Sequence, residues 1–202
     1  MAVLGHDQIT IALKEEDSSQ RLFITPLLDH TQIGDASVDV RLGNDFLATK
    51  RGNIGVLDPN NREDSPNRFR YRHRLNRREP FYLHPNEVVL ASTLEFFRLP
   101  DSISAYVTSR SKWGRVGLVI ATATAIHPGF TGTVTLELVN HSNVPLVLYP
   151  GLLVAQVIFS FCDGASEYKG DLAGKTDTHV ADMTKGWQQD MAFWCPSIDK
   201  TS

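Results

Sequence analysis

The spacing of hydrophobic residues changes near the beginning of the chain. In residues 7–16 the apolar residues Ile9, Ile11, Ala12 and Leu13 alternate with polar ones in a pattern typical of a short amphipathic helix. Asp7 stands near the start, where a short acceptor side chain is able to cap the first turn. The pattern therefore predicts a helix over 7–16 with Asp7 as its cap.

Beyond this helix, apolar and polar residues alternate with a period of two in short runs. Gly, Asn and Pro separate many of the runs, at Gly43-Asn44, Pro85-Asn86, Pro100-Asp101, Pro128-Gly129 and Pro150-Gly151. The predicted strands cover residues 37–42, 45–49, 79–83, 87–97, 103–108, 117–121, 133–139, 145–148 and 152–161. A mainly β domain follows, either a sandwich or a barrel, and the residues after Asp163 are predicted to form a loop-rich tail.

Composition narrows the class of protein. The 202 residues are 42% hydrophobic and 21% charged with a net charge of −3, which fits one soluble domain and gives no sign of a polyanion-binding protein. No apolar run approaches the roughly 20 residues that a membrane helix needs. The first residues lack the basic and apolar regions of an export signal, so we expect a cytoplasmic protein without a membrane partner.

An arginine-rich segment stands apart from the rest of the chain. Eight arginines lie between Arg51 and Pro80, and in residues 68–75 arginines alternate with Phe69, Tyr71, His73 and Leu75. Basic residues interleaved with aromatic ones are suited to single-stranded nucleic acid. A solvated hairpin face balanced by nearby acids (Glu63, Asp64 and Glu79) explains the same pattern, and the acidic net charge favours it.

Two segments carry the residues best suited to chemistry. Arg110, Ser111, Lys112 and Arg115 form a predicted Ser-initiated turn into a short helix, which combines N–H groups, a hydroxyl and positive charges suited to phosphate. Glu137 lies on the polar face of a predicted strand, where a carboxylate is able to act as general acid and base. A capped surface helix and an exposed Glu remain the alternatives. No Cys-x-x-Cys is present, so zinc-activated water of the deaminase type is not expected.

These segments resemble the motifs of dCTP deaminases, which belong to the trimeric dUTPase superfamily. Residues 110–118 resemble the family's Gly-Arg-Ser-Ser-x-x-Arg-x-Gly, and residues 126–137 resemble its Ile-Asp-Pro-Gly-x-x-Gly-x-Ile-x-Leu-Glu. Further matches occur at residues 36–44, 81–85 and 145–151, in order and spacing from about Asp7 to Phe161. The chain is thus identified as a single dCTP deaminase-like domain over 1–202, with its core at 7–161 and its tail at 162–202.

The resemblance implies a fold, an assembly and a set of site residues. The fold would be a distorted antiparallel β barrel with a short N-terminal helix and another before the catalytic strands, assembled as a homotrimer with active sites between subunits. Glu137 would be the catalytic acid and base, assisted by Ser111 and Arg115. The residues implied in substrate binding are Arg110, Lys112, Thr122, Ala123, His127, Gln156 and Tyr168. Mg²⁺ would arrive with the triphosphate, and no zinc would be needed.

Several positions depart from the family pattern. His127 replaces the usual Asp, Ser109 replaces Gly, and Lys112 replaces the second Ser of the phosphate turn. The closing motif Lys-Tyr-x-x-Gln has no clear counterpart, with Tyr168-Lys169, Lys175 and Gln188-Gln189 as candidates.

The leading hypothesis is a deaminase that hydrolyses the 4-amino group of dCTP, or of a close analogue, to give dUTP and ammonia. One alternative is a bifunctional enzyme that goes on to dUMP, although the lost carboxylate at His127 argues against it. Another is a non-catalytic homologue that senses nucleotides or binds nucleic acid.

Overall fold

Strands dominate the part of the chain that the structure describes. The structure is a computed structural model, and it describes residues 2–49, 70–121, 125–163 and 174–178. Two α-helices are present, α1 (His6–Lys14) and α2 (Ser111–Gly114), with a short 3-10 helix at His30–Gln32. The strands are β1 (Phe23–Thr25), β2 (Val38–Thr49), β3 (Arg70–Arg74), β4 (Phe81–Leu83), β5 (Val88–Arg98), β6 (Ile103–Ser109), β7 (Leu118–Ile120), β8 (Ala125–Ile126), β9 (Thr131–Asn140), β10 (Leu146–Leu148) and β11 (Leu153–Phe161).

Nine strands form one curled antiparallel sheet. Its main path runs β7-β9-β5-β2-β11-β6-β8, with β1 on β5 and β3 on β2, while β10 and β4 form a separate pair. The sheet curls until β7 approaches β6, where the Ser109 hydroxyl accepts a hydrogen bond of 3.0 Å from the Ile120 N–H. The prediction of a mainly β, antiparallel, barrel-like fold with short helices is confirmed.

Alternation along the strands places the core inside the curl. Along β9, Val134, Leu136 and Leu138 are buried, and Glu137 on the opposite face is half-buried, as predicted. Phe46, Phe97 and Phe159 are the largest fully buried side chains. The period of two therefore gives the correct inward face for the strand that carries Glu137.

The turn predicted at Gly43-Asn44 is wrong. Residues 38–49 form one continuous strand, β2, whose register against β5 shifts between Leu42 and Phe46. A Cβ on Gly43 would lie 2.7 Å from Ser92 Oγ and 3.0 Å from the Ser92 carbonyl oxygen. Gly43 thus marks a bulge at which two strands approach closely, and not a hairpin.

The N-terminal helix also differs from its prediction. It covers His6–Lys14 instead of 7–16, and Gly5 occupies the N-cap position, where its N–H donates to Gln8 Oε1 at 3.0 Å. Asp7 lies in the first turn, where a negative charge is favourable without capping. Strands β1 and β8 were not predicted, because runs of three and two residues are too short to show a period. Among the described residues, no helix is long and apolar enough to cross a membrane.

Candidate active site

Helix α2 is fixed to the sheet by two contacts with β11. The Trp113 indole N–H donates to the Leu153 carbonyl at 2.8 Å, and the Arg110 N–H donates to the Val154 carbonyl at 3.0 Å. Trp113 also packs against the core. The short helix predicted to carry Trp113 is confirmed, with Arg115 directly after its last residue. Its position is therefore set by the sheet and not by its own four residues.

A row of polar side chains crosses three strands beside α2. Gln156 of β11 pairs with Asp39 of β2 on one side and with Thr108 of β6 on the other. Arg110 follows Thr108 by two residues, and its guanidinium forms an ion pair of 2.9 Å with Asp39. Two predicted substrate-binding residues, Arg110 and Gln156, thus lie beside one carboxylate.

Burial and neighbouring positive charges act on the pKa of Asp39 in opposite directions. Burial raises the pKa of Asp39, and the positive charges of Arg110, Lys112 and Arg41 oppose that rise. The ion pair holds the Arg110 guanidinium in place. Because the pair uses only one edge of the guanidinium, the other N–H groups stay available for a ligand. Asp39 belongs to a segment that the sequence matches to the family, but no role was assigned to it there.

The remaining predicted phosphate residues face solvent. Ser111, Lys112 and Arg115 are exposed, and the first N–H groups of α2 precede its hydrogen-bonded turns. The turn is connected to β7 through Ser109, whose hydroxyl holds the Ile120 N–H. Ser109, which departs from the family pattern, therefore joins the basic turn to the strand beside β9.

Glu137 lies on β9, next to the end of β7. The Ala121 N–H donates to the Glu137 carbonyl at 2.8 Å, so the residue that follows β7 lies beside Glu137. Thr122 and Ala123, predicted to recognise the base, lie outside the described residues. The carboxylate side chain is half-buried, an exposure compatible with proton transfer to a bound ligand.

The arginines of β3 share the sheet face of Glu137. Glu137 pairs with Leu90, Leu90 with Leu47, and Leu47 with Arg72, so this row lies on one side of the sheet. Burial lowers the pKa of Arg70, and the negative charge of Glu137 opposes that shift. Arg70 Nη1 is buried without a hydrogen-bond partner. The sequence analysis favoured a solvated face for this strand and did not foresee the interaction between Arg70 and Glu137.

Two other arginines of β3 bind acids that the sequence did not suggest. Arg72 lies 3.4 Å from Asp45 and 3.5 Å from Asp177, and Arg74 lies 3.9 Å from Asp45 and 3.5 Å from Asp177. Glu79, an expected partner, instead accepts hydrogen bonds from Asn76. Tyr71 and His73 lie edge to face on the opposite side, as the alternation predicts. Arg68, Phe69, Glu63 and Asp64 lie outside the described residues.

Residues 174–178 of the predicted tail dock on the sheet. Thr178 is fully buried, its N–H donates to Asp45 Oδ2 at 2.9 Å, and Arg72 donates to its carbonyl at 2.9 Å. The Lys175 carbonyl accepts from the Thr133 N–H at 2.9 Å. Tyr168, Lys169 and Gln188-Gln189 lie outside the described residues, so their predicted roles stay predictions.

His127 lies far along β6 from the phosphate turn. It begins the turn between β8 and β9, and Ile126 beside it pairs with Ala105. Since a strand rises about 3.3 Å per residue, His127 and Arg110 are separated by roughly 15–20 Å along β6. Within one chain, Arg110 therefore lies beside Gln156 and Asp39 at one end of β6, and His127 lies at the other end.

No group of three or more His, Cys, Asp or Glu side chains in the described ranges is arranged to hold a metal ion. A Mg²⁺ ion that keeps several water ligands and binds phosphate oxygens needs no such protein cage. Around α2 the charged side chains are mainly basic and the Asp39 carboxylate is paired with Arg110, so a Mg²⁺ ion there would be held by the phosphate oxygens of a nucleotide and not by the protein.

A comparison with protein families matches residues 4–162 to a family described as dCTP deaminase-like. Three curated relatives, all named "dCTP deaminase, dUMP-forming", illustrate the similarity. The protein of Dictyoglomus thermophilum is 43% identical over 141 residues, which are 69% of this chain and 72% of the relative. That of Persephonella marina is 38% identical over 168 residues (82% and 91%), and that of Methanobrevibacter smithii is 38% identical over 160 residues (79% and 80%).

Among solved structures, the 2'-deoxycytidine 5'-triphosphate deaminase of Agrobacterium tumefaciens shares the fold. The TM-score is 0.59 with 24% sequence identity, and the match covers 79% of this chain and 48% of that chain. The chain therefore spans about half the length of that structure. At this identity the likeness supports the architecture of the sheet and not the role of any side chain.

Proposed function

The chain belongs to the dCTP deaminase-like family, and on this basis we propose that it converts dCTP into dUMP, ammonia and pyrophosphate. Two water molecules are consumed. The first adds to C4 of the cytosine ring and displaces ammonia, and the second attacks the α-phosphorus and displaces pyrophosphate. The dUTP product expected from the sequence becomes an intermediate of this reaction.

The names of the relatives favour dUMP over dUTP as the released product. Relatives that are 38–43% identical over most of this chain are named as dUMP-forming. His127 argued for dUTP because it lacks the carboxylate that the dUTPases carry there. The similarity over the whole domain outweighs that single position, so the bifunctional alternative replaces the original expectation.

The observation that carries the deamination step is the position of Glu137. The side chain lies half-buried on β9, beside the point where the chain leaves β7 toward residues 122 and 123. A carboxylate there would take a proton from the attacking water and return it to the departing nitrogen. The positive charge of Arg70 interacts with Glu137, so that strand β3 contributes to the electrostatic environment of the proposed base.

Arg110, Lys112 and Ser111 would bind the triphosphate, and Arg115 would help Ser111 to position water and base. The ion pair with Asp39 supports this role for Arg110, because it fixes the guanidinium beside Gln156. Mg²⁺ would neutralise part of the phosphate charge and would be held mainly by phosphate oxygens.

The assembly that we propose is a homotrimer with shared sites. In one chain, His127 and Arg110 belong to different ends of β6. A site that uses both is more readily built when a neighbouring subunit brings its turn at His127 to the α2 region of the first. The same arrangement would exclude water from the base, which strengthens the electrostatic effect of nearby charges.

A substitution of Glu137 tests the proposed chemistry. Glu137→Gln should lower the rate of ammonia release by about 100-fold or more, since the amide cannot accept the proton. The sheet should remain folded because the substitution keeps the shape of a half-buried polar side chain. Glu16→Gln, on the exposed surface, is the matched control. Release of ammonia by Glu137→Gln at the wild-type rate would refute the role of Glu137.

A nucleic-acid-binding function is less well supported. Its motivation was the arginine strand, and two of the described arginines there are occupied by Asp45 and Asp177. We therefore propose a nucleotide substrate and no nucleic-acid partner.

A further inference from the structure

A polar cavity lies on the protein outside the candidate active site. It has a volume of about 510 Å³ and opens between three segments: the loop after α1, the turn from β5 to β6, and the turn from β8 to β9. Ser18, Arg21, Arg98 and Asp101 are among its lining residues. None of the residues assigned above to catalysis or nucleotide binding lines it.

Two arginines of this cavity each have an Nε–H group without a hydrogen-bond acceptor. Arg21 Nε and Arg98 Nε are shielded from solvent, and neither makes a hydrogen bond. No ion pair involves either side chain within the described part of the chain. A buried N–H group without an acceptor is unfavourable, so this pair calls for an acceptor that the described part of the chain does not provide.

Both arginines line the same cavity near Phe23 of β1. Arg98 of β5 pairs with Phe23 of β1, and its guanidinium lies 5.6 Å from the centre of the Phe23 ring. Arg21 precedes Phe23 by two residues, and residues two apart in an extended chain point to the same side. Stacking on Phe23 holds Arg98 in position without neutralising its charge.

The charge and the free donor groups of the cavity favour an oxyanion. Its lining contains two positive side chains and one negative one, Asp101, which is exposed. The Ser19 hydroxyl already donates to Asp17, whereas no described hydrogen bond uses the Ser18 hydroxyl. Two guanidinium groups, one at the end of β5 and one just before β1, match the several acceptor oxygens of a phosphate.

We propose that this cavity binds a phosphate group, either free or at the end of a nucleotide, at a site separate from the candidate active site. Arg21 and Arg98 supply the charge, and Ser18 supplies a further donor at the mouth. Ligand binding here is independent of turnover, so the proposal stands or falls separately from the proposed enzymatic function.

Calorimetric titration of inorganic phosphate into the full chain, in a zwitterionic buffer, tests the proposal. Arg21→Gln should weaken phosphate binding by tenfold or more because half of the paired charge is lost. Ser18→Glu should weaken it similarly by placing a negative charge at the mouth, and this exposed position leaves the core intact. Arg77→Gln, which removes an exposed arginine outside the cavity, should bind phosphate like the wild type.

Two results would overturn the proposal. One is an equal phosphate affinity in all four proteins, which would place the ion elsewhere, and the other is a lack of binding at millimolar phosphate. If Arg21→Gln loses the oligomer while its phosphate affinity is unchanged, the proposal is also overturned. The arginines would then belong to a contact between subunits. A purine nucleoside monophosphate, titrated in parallel, distinguishes the sources: tighter binding than phosphate that Ser18→Glu abolishes identifies a nucleotide, and equal binding identifies the phosphate alone.

Discussion

Glu95 is the most deeply buried ionisable residue among the described contacts, with no exposed surface. One carboxylate oxygen accepts from the Arg41 N–H at 2.8 Å, and the other accepts from Gln32 at 3.1 Å and from the Arg41 guanidinium at 3.3 Å. Gln32 in turn donates to the Asp39 carbonyl at 3.0 Å. The network fixes the segment of β2 from which Asp39 reaches Arg110. The buried Glu95 and the candidate-site residue Asp39 are therefore linked through strand β2.

Glu95 should make the stability of the protein depend on pH. Burial raises the pKa of Glu95 above its ordinary 4.5, and the hydrogen bonds and charge of Arg41 only partly oppose this. The folded state then holds the proton more tightly than the unfolded chain, so the free energy of unfolding should fall as pH rises from about the unfolded pKa through the folded one. Glu95→Gln should flatten that decline in urea unfolding measured across this window, whereas Glu16→Gln should preserve it. Identical pH profiles for the wild type and Glu95→Gln would contradict this account.

At the level of the strands, the pairing register shifts at neighbouring positions of β2 and β5. The register of β2 against β5 shifts between Leu42 and Phe46, and that of β5 against β9 shifts between Ser92 and Phe96. Gly43 lies where these shifts meet, against Ser92 and Thr93. The Thr93 hydroxyl fills the gap in the ladder by accepting from the Val134 N–H at 3.0 Å. These register shifts bend β5, and β9 with Glu137 follows this bend because it pairs with β5.

Gly43→Ala should therefore destabilise the protein. The new Cβ would lie 2.7 Å from Ser92 Oγ and 3.0–3.1 Å from two carbonyl oxygens, so the backbone has to move, at a cost of about 1–3 kcal/mol. Gly114→Ala is the matched control, because nothing lies within 4 Å of its new Cβ. Chemical denaturation should show a lower midpoint for Gly43→Ala only. Equal midpoints for Gly43→Ala and the wild type would show that the bulge accommodates a methyl group.

The sequence alone predicts those elements whose pattern is local. Alternation along β9 places Glu137 opposite a buried face, and the serines at 109 and 111 predict the start of the short helix α2 that carries Trp113. The strand order, the Asp39–Arg110 ion pair and the contact of Arg72 with Asp45 join residues distant in sequence, and no local pattern records them. Gly43 was misassigned because glycine suits a turn and a bulge equally well.

At the level of the whole molecule, the position of His127 bears on how the proposed site would be assembled. The chain has the dCTP deaminase-like fold, yet helix α2 and the turn at His127 lie at different ends of β6. A trimer that shares its sites between subunits would bring together residues that one subunit keeps apart. The role of each residue is then a property of the assembly.

Mixed oligomers test this shared arrangement. His127→Ala and Arg110→Ala should each raise the KM for dCTP by about tenfold or more. When the two variants are co-expressed, some sites in the mixed trimers should combine an intact His127 from one subunit with an intact Arg110 from another. A fraction of sites with wild-type KM is therefore expected in the mixture. Its absence in verified mixed trimers would place both residues of a site in one subunit.

The most direct test of the central claim is a product analysis. The purified protein is incubated with dCTP and Mg²⁺, and nucleotides, ammonia and pyrophosphate are quantified over time, with Glu137→Gln as the control. We expect dUMP, ammonia and pyrophosphate in equal amounts from the wild type, and none of them from Glu137→Gln above its low residual rate. Accumulation of dUTP with ammonia but without pyrophosphate would contradict the bifunctional reaction and restore simple deamination. Unchanged dCTP, in the presence of folded protein, would contradict the account as a whole.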